Sequence, residues 1–98
     1  MAHEVIWLPK AENRYDEIIA YLAENWTEKE IIRFVARTED VIKNISDNPH
    51  LYRKSSKKNI HEAIITKHNV LLYKFSSKKI ELITFFDTRQ SPQKKFRK

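Results

Sequence analysis

The 98-residue chain contains neither cysteine nor glycine, and it has only three prolines. Without cysteine there are no disulfides and no cysteine-ligated metal sites, which argues against a small secreted scaffold held by cross-links. Without glycine there is no glycine-rich phosphate loop and no dinucleotide-binding fingerprint. Turns must therefore be built from asparagine, serine, lysine and proline.

Long apolar runs and targeting segments are also absent from the sequence. No stretch approaches the roughly 20 apolar residues of a membrane-spanning helix. The N-terminus, Met1 to Val5, has neither the basic start nor the apolar stretch of a signal peptide. A chain of 98 residues suffices for one domain with a modest core. We expect a single domain over residues 1–92, a basic tail over residues 93–98, a cytoplasmic location and no membrane partner.

Charge is divided unevenly along the chain, whose formal net charge is +6. Residues 1–49 contain six Lys and Arg against ten Asp and Glu, whereas residues 50–98 contain thirteen against three. This division predicts a basic surface for an anionic partner, either a nucleic acid or an acidic protein segment. A solvated surface that only promotes solubility is the alternative.

Hydrophobic periodicity predicts one strand and two helices in the first half. Val5 to Leu8 is a short apolar run typical of a buried strand. From about residue 10 to 25, apolar side chains recur at spacings of three and four, which predicts a helix. Thr27 and Glu30 have the capping-box spacing at the start of a second helix, which Asn48-Pro49 ends. Because so few residues separate the helices, we expect an antiparallel hairpin.

Three apolar runs follow in the second half, over Ile60–Ile65, Val70–Phe75 and Ile80–Phe86. Their short connections predict antiparallel hairpins, and the polar stretch from His50 to Asn59 can add a short edge strand. The result is an α+β domain of order βααβββ, with an N-terminal helical hairpin packed on a small antiparallel sheet. In the last run, alternation predicts one shared face for Ile80, Leu82, Thr84 and Phe86.

Several segments have the order and spacing of a known family. They are Ile6–Ala11, Tyr15–Leu22, Asn48-Pro49, Val70–Phe75 and Phe86–Pro92. On these segments the chain resembles the RelE/ParE superfamily, the toxins of bacterial type II toxin–antitoxin systems that are also called plasmid stabilisation proteins. The resemblance extends over nearly the whole chain and implies the same RelE/ParE-like βααβββ fold.

The resemblance implies a toxin that a cognate acidic antitoxin neutralises by wrapping over it. Some members of the superfamily cut mRNA in the ribosomal A site without a metal. Others poison DNA gyrase and lack the nuclease residues. Neither activity implies a cofactor, and both a homodimer and a toxin–antitoxin hetero-oligomer are compatible with the family.

Metal-independent RNA cleavage needs a base, cations and an acid. The family's nucleases take them from basic residues after the second helix, an arginine three positions before the strand tyrosine, an arginine after the last strand, and a C-terminal tyrosine or histidine. Here Arg89 matches the arginine after the last strand, but Val70 stands three positions before Tyr73. No tyrosine or histidine follows Arg89. The resemblance therefore favours a ParE-like toxin that binds its target over a RelE-like mRNA endonuclease.

The candidate residues follow from charge and titration. Arginine can hold a phosphate or carboxylate by two bonds, and histidine titrates near neutral pH. The structural alternative for Arg89 is an ion pair, and for His61 and His68 it is a surface or turn position. We expect Glu62 at an outward strand position. If the protein cuts RNA, the catalytic candidates are Arg89, Lys54, His61 and His68. The candidates for target or antitoxin contact, which include one aromatic that can stack on a base, are Arg53, Lys54, Lys57, Lys58, Arg89, Lys94, Lys95 and Phe96.

The remaining aromatic residues are assigned to structure. We expect Trp7, Tyr15, Tyr21 and Trp26 to pack in the core or the helical hairpin. Tyr73 should be structural, with a hydroxyl group that finds a partner. Two further functions stay open: a plain nucleic-acid-binding module, and an inactive toxin homologue that keeps only the antitoxin interface.

Overall fold

A computed structural model of the chain describes residues 3–55 and 59–88. Two helices and five strands follow each other in the predicted order, and β2 is the expected short edge strand. Neither helix in these ranges is long and apolar enough to cross a membrane. The proposed boundary between a domain and a tail, at residue 92, lies outside the described residues and stays a prediction. The elements are β1 (Glu4–Trp7), α1 (Pro9–Asn25), α2 (Glu28–Asp47), β2 (Arg53–Lys54), β3 (His61–Thr66), β4 (Asn69–Phe75) and β5 (Lys79–Asp87).

The five strands form one sheet of order β1-β5-β4-β3-β2. The pairs from β2 to β5 are antiparallel, as predicted from their short connections. β1 instead runs parallel to β5, with Val5 opposite Ile80 and Trp7 opposite Leu82. The sheet is therefore mixed, and the prediction of a purely antiparallel sheet is wrong for this pair. No hairpin joins β1 to β5, so no local connection imposes an antiparallel direction.

A β-bulge changes which side chains of β5 face the helices. Tyr73 lies opposite Leu82, whereas the preceding Leu72 lies opposite Thr84, so β5 has one extra residue between these pairs. One extra residue reverses the alternation of faces in the rest of a strand. Phe85 consequently joins Leu82 in the core. The predicted shared face of β5 is wrong beyond Leu82.

Both helices pack on one face of the sheet, α1 against β5 and α2 against β3. Aromatic rings from four elements meet between the layers. The Tyr15 ring centroid lies 5.1 Å from that of Trp7, 5.6 Å from that of Phe34 and 5.6 Å from that of Phe85. The predicted core packing of Trp7 and Tyr15 is confirmed. Phe34 and Phe85 are fully buried, and burying each of their rings stabilises the fold by about 1.5–3 kcal/mol relative to exposure.

The start of α2 is where the sequence predicts it, but the capping box does not form. Thr27 is the N-cap residue, and its side chain makes no capping hydrogen bond. The backbone N–H of Glu30 donates to the Thr27 carbonyl oxygen at 3.0 Å. The Glu30 carboxylate lies 3.6 Å from the guanidinium of Arg33, one turn further along the helix. The predicted reciprocal side-chain bonds are therefore wrong, because Glu30 interacts within the helix.

Candidate functional site

The edge strand β2 presents two of the predicted contact residues, Arg53 and Lys54, which we call the basic edge. Both are exposed. In the pairing with β3, Arg53 lies opposite Glu62 and Lys54 lies opposite His61. The Nε and Nη2 atoms of Arg53 lie 3.2 Å and 3.0 Å from Oε1 of Glu62. One guanidinium therefore holds a carboxylate of the neighbouring strand, while Lys54 extends the positive surface.

Glu62 lies at the outward strand position that the sequence predicts, but it is shielded from solvent. Alternation along β3 places it on the face away from the helices, because Ala63 lies in the core. Its residue is nevertheless only 6% exposed. A buried carboxylate needs a charge partner or hydrogen bonds. Arg53 supplies both, so Glu62 occupies the outward face as a paired carboxylate.

His61 points to the opposite face of the sheet from Glu62 and lies among aromatic rings. Its ring centroid is 5.5 Å from that of Tyr73 and 5.0 Å from that of Phe75. Burial lowers the pKa of His61 below its usual value of 6.5, and the nearby charge of Lys54 lowers it further. At neutral pH the imidazole is therefore uncharged and packed in the interior.

His68 lies at the other end of the same hairpin. It is exposed in the turn between β3 and β4. The six residues of β3 separate it from His61 by about 17 Å of strand. The end of β5 is anchored to this turn, because Thr88 donates from its N–H to the His68 carbonyl and from its hydroxyl to the Lys67 carbonyl, at 3.0 Å and 3.2 Å. The structure thus does not bring the two candidate histidines together.

A groove of about 500 Å³ opens beside that turn, between the helical hairpin and the ends of β4 and β5. Tyr21 and Trp26 line it and are 53% and 58% exposed, so their predicted packing in the core or hairpin is wrong. Charged side chains at the groove pair with each other: Arg14 lies 2.8 Å from Glu17. The apolar side chains that line it with Tyr21 and Trp26 are Ile18, Leu22 and Phe34.

This groove was not predicted from the sequence. A signal for it was present, because Trp26 falls at the junction of the two helices and outside the apolar stripe of α1. An aromatic residue at such a junction packs only if a third element covers it. The described residues of the β3–β4 turn stop short of doing so, which leaves the indole more than half exposed.

Val70 and Tyr73 occupy the β4 positions at which the family's nucleases carry an arginine and a tyrosine. The Tyr73 hydroxyl donates to the Pro49 carbonyl at 2.8 Å, which confirms its predicted structural role. Burial raises the pKa of this hydroxyl above its usual value. Val70 is 6% exposed. The position three before the tyrosine thus adds apolar surface to the sheet and no positive charge.

The remaining predicted site residues lie outside the residues that the structure describes. Among residues 3–55 and 59–88, no three His, Asp or Glu side chains group closely enough to hold a metal ion. The basic edge is therefore the part of the predicted contact surface that the structure describes. The site residues outside the described ranges are Lys57, Lys58, Arg89, Lys94, Lys95 and Phe96.

Comparison with protein families identifies the chain. The model of the ParE toxin of the type II toxin–antitoxin system ParDE matches residues 5–92. The chain belongs to the ParE toxin family. It is thus a type II toxin of the RelE/ParE superfamily, and the resemblance found in the sequence is confirmed. No functionally curated protein matches the sequence.

Solved structures share the fold of this ParE-family chain at low sequence identity. A chain of the chromosomal ParDE toxin–antitoxin system from P. aeruginosa has a TM-score of 0.73 at 13% identity, covering 88% of this chain and 96% of its own. The YoeB dimer from Staphylococcus aureus has a TM-score of 0.63 at 18% identity, with coverages of 88% and 97%. A YoeB/ParE toxin from Agrobacterium tumefaciens has a TM-score of 0.62 at 17% identity, with coverages of 86% and 96%. The predicted α+β toxin fold is confirmed.

Proposed function

We propose that this toxin acts by binding its cellular target, with DNA gyrase as the candidate target, and that it does not cut mRNA. The main support for this proposal is that Val70, a buried apolar residue, stands where the superfamily's nucleases have an arginine. Removing one positioned donor from a transition-state site costs about 10²–10³ in rate. A nuclease without this cation would be slow, whereas a toxin that acts by binding does not need it.

The two histidines of the β3–β4 hairpin support the same proposal. A general base must lie within hydrogen-bond reach of the proton that it abstracts. His61 stands beside the basic edge, but only 6% of the residue is exposed. His68 is exposed at the far end of β3. RNA held along Arg53 and Lys54 would therefore meet no accessible imidazole of the described hairpin.

We further propose a cognate acidic antitoxin as the partner. The excess of Lys and Arg in the second half supports it, because opposite charge accelerates association and selects partners. The YoeB–YefM structure from Staphylococcus aureus and the DinJ–YafQ structure from E. coli are both toxin–antitoxin complexes. We propose contacts at the basic edge and at the basic residues outside the described ranges, within a hetero-oligomer of a cytoplasmic plasmid stabilisation system. A homodimer is the alternative assembly.

A RelE-like ribosome-dependent mRNA endonuclease is the second candidate. The specific observation in its favour is that Lys54 is exposed on the sheet edge after the second helix, where the superfamily's nucleases carry basic residues. Arg89 also keeps the family position after the last strand. On this alternative, Lys54 and Arg89 would stabilise the charge on the phosphate during cleavage.

Two assays on the purified toxin separate these functions. We expect inhibition of DNA supercoiling by purified gyrase, and intact mRNA in a reconstituted translation reaction. Arg89→Ala should weaken the inhibition, whereas Lys98→Ala, a matched loss of one charge at the end of the basic tail, should not. Cleavage of mRNA in the A site that disappears in Arg89→Ala would reject the binding mechanism. Normal growth on induced expression without antitoxin would indicate an inactive homologue.

The partner is tested by measuring affinity for the small acidic protein encoded by an adjacent gene. Lys54→Ala should weaken binding by about fivefold, the effect of one exposed charge pair, and the loss should shrink at high salt. Lys29→Ala removes an equally exposed lysine from α2 and should have no effect. Tight, steeply salt-dependent binding to bare DNA or RNA, without antitoxin binding, would instead indicate a nucleic-acid-binding module.

A further inference from the structure

His61 contains a buried polar atom that the fold does not use. The residue is 6% exposed, and its Nδ1 atom has no hydrogen-bond partner among residues 3–55 and 59–88. Its ring stacks on Tyr73 with an interplanar angle of 29° and lies against Phe75. Buried polar groups are nearly always hydrogen-bonded, so an exception calls for a physical explanation. A neutral imidazole can stay in this position, because it stacks as an aromatic ring.

The groups that surround His61 oppose a positive charge on it. Lys54 lies opposite His61 in the β2–β3 pairing. His50, from the loop before β2, packs on the other partner ring, with 4.8 Å between the ring centroids of His50 and Phe75. Tyr73, on β4, supplies no compensating negative charge, because burial raises the pKa of its hydroxyl. A protonated His61 would therefore meet two basic groups and an uncharged tyrosine.

The strand that Lys54 belongs to is the weakest attachment in the sheet. β2 contains two residues, which pair with Glu62 and His61. One further backbone bond continues the pairing, from the Ser55 N–H to the Ile60 carbonyl at 2.8 Å. The strand is also held by the ion pair of Arg53 with Glu62 and by the packing of the neighbouring Tyr52 against the core, so opening has to break both. The backbone bonds are few, which keeps the free energy of opening below that of the longer strands. The longer strands β3, β4 and β5 remain joined when β2 separates.

We propose that protonation of His61 releases the segment from His50 to Ser55 from the sheet edge, so that the basic edge is held in place only while His61 is neutral. The charged imidazole gains water when the segment opens, and its distance from Lys54 increases. The rest of the domain stays folded, because the aromatic core around Tyr15 packs against β5, which β4 and β3 separate from β2. If the basic edge contacts the antitoxin, as proposed above, acidification would weaken that contact. This consequence rests on the proposed function, whereas the release itself does not.

The pH range follows from the direction of the pKa shift. Burial, Lys54 and His50 hold the pKa of His61 below the value of 6.5 that the open segment would have. The closed state then binds fewer protons than the open state, and acid favours opening. Above pH 6.5 the opening equilibrium is flat. Below it, the opening constant rises by about tenfold per pH unit until the lowered pKa is reached.

Native-state hydrogen exchange of the full chain tests this inference. The protection factor of the Ser55 amide, measured by NMR between pH 7.5 and 5, should fall by up to about tenfold per pH unit below pH 6.5. The amide of Leu8, which donates to the Leu82 carbonyl at the opposite edge of the sheet, should keep its protection. Constant protection at Ser55 would overturn the proposal. Equal loss at Ser55 and Leu8 would also overturn it, because that indicates global unfolding.

Two variants assign the effect to His61. His61→Phe keeps an aromatic ring but cannot ionise, so the protection at Ser55 should become independent of pH. His68→Phe, the same change at the exposed turn, should behave as the wild type. An unchanged pH dependence in His61→Phe would contradict the proposal. The wild-type chain gives a check that needs no substitution: the His61 ring signals should titrate below 6.5, in the same pH interval as the opening of Ser55.

Discussion

The hydrogen bond from Tyr73 to the Pro49 carbonyl provides a sharp test of how the helical layer is joined to the sheet. Tyr73→Phe removes one oxygen atom from a side chain that is 0% exposed and leaves the ring in place. The hydroxyl donates over 2.8 Å to the carbonyl of Pro49, which is itself buried. Losing a net hydrogen bond and leaving a buried acceptor without a donor costs about 1.5 kcal/mol in unfolding free energy.

The change in Tm is the change in unfolding free energy divided by the unfolding entropy. For a domain of this size, a loss of about 1.5 kcal/mol should lower Tm by about 7 °C. Urea denaturation gives the same quantity as a lower midpoint with an unchanged slope. Tyr21→Phe is the matched control, because the same atom is removed from a side chain that is 53% exposed. We expect the control to stay within about 0.5 kcal/mol of the wild type. If Tyr73→Phe were equally neutral, the assigned role of this bond would be refuted.

Two other substitutions test the packing of the helices. Phe85→Ala removes a core ring of which 2% is exposed and should lower the unfolding free energy in urea by about 3–5 kcal/mol; a loss below about 1 kcal/mol would contradict the described core. Arg37→Met removes the Nε–H that donates to the Ile65 carbonyl at 3.0 Å and should cost about 1 kcal/mol. Arg33→Met, on the same helix and with its guanidinium exposed, should change stability by less than about 0.5 kcal/mol, and equal losses would count against the bond from Arg37.

Elements whose side chains repeat with a regular period were predictable from the sequence. The apolar positions of α2 recur at helical spacing, and Phe34, Thr38, Val41 and Ile45 are buried together with Ser46. β4 was predicted over Val70–Phe75 and begins only one residue earlier. Local periodicity suffices in these cases, because each element buries one continuous stripe or run against the rest of the domain.

Features that depend on contacts distant in sequence were not predictable. The parallel pairing of β1 with β5 joins Val5 to Ile80, and no local pattern encodes that direction. The bulge before Thr84 has no recognisable sequence signal, since Leu82 and Ile83 are both apolar and neither glycine nor proline occurs in β5. The ion-pair partner of Glu62 is Arg53 on β2, and a two-residue strand is too short to predict from alternation.

In the candidate site, too, features set by local periodicity were predictable and features set by distant contacts were not. His61 shares its parity along β3 with Ala63 and Ile65, both of which lie in the core. Its burial among the helix-facing residues was therefore available from the sequence, once the strand was assigned. Its packing against Tyr73 was not, because that contact depends on the register between β3 and β4.

We propose that this ParE-family toxin disables its target by binding and leaves RNA intact. The most direct measurement is the integrity of a defined mRNA on translating ribosomes, read by primer extension in a reconstituted reaction with purified toxin. Because Val70 is buried where a nuclease needs an arginine, we predict full-length mRNA at toxin concentrations that inhibit gyrase supercoiling. Cleavage at A-site codons that is lost in Arg89→Ala would contradict the account.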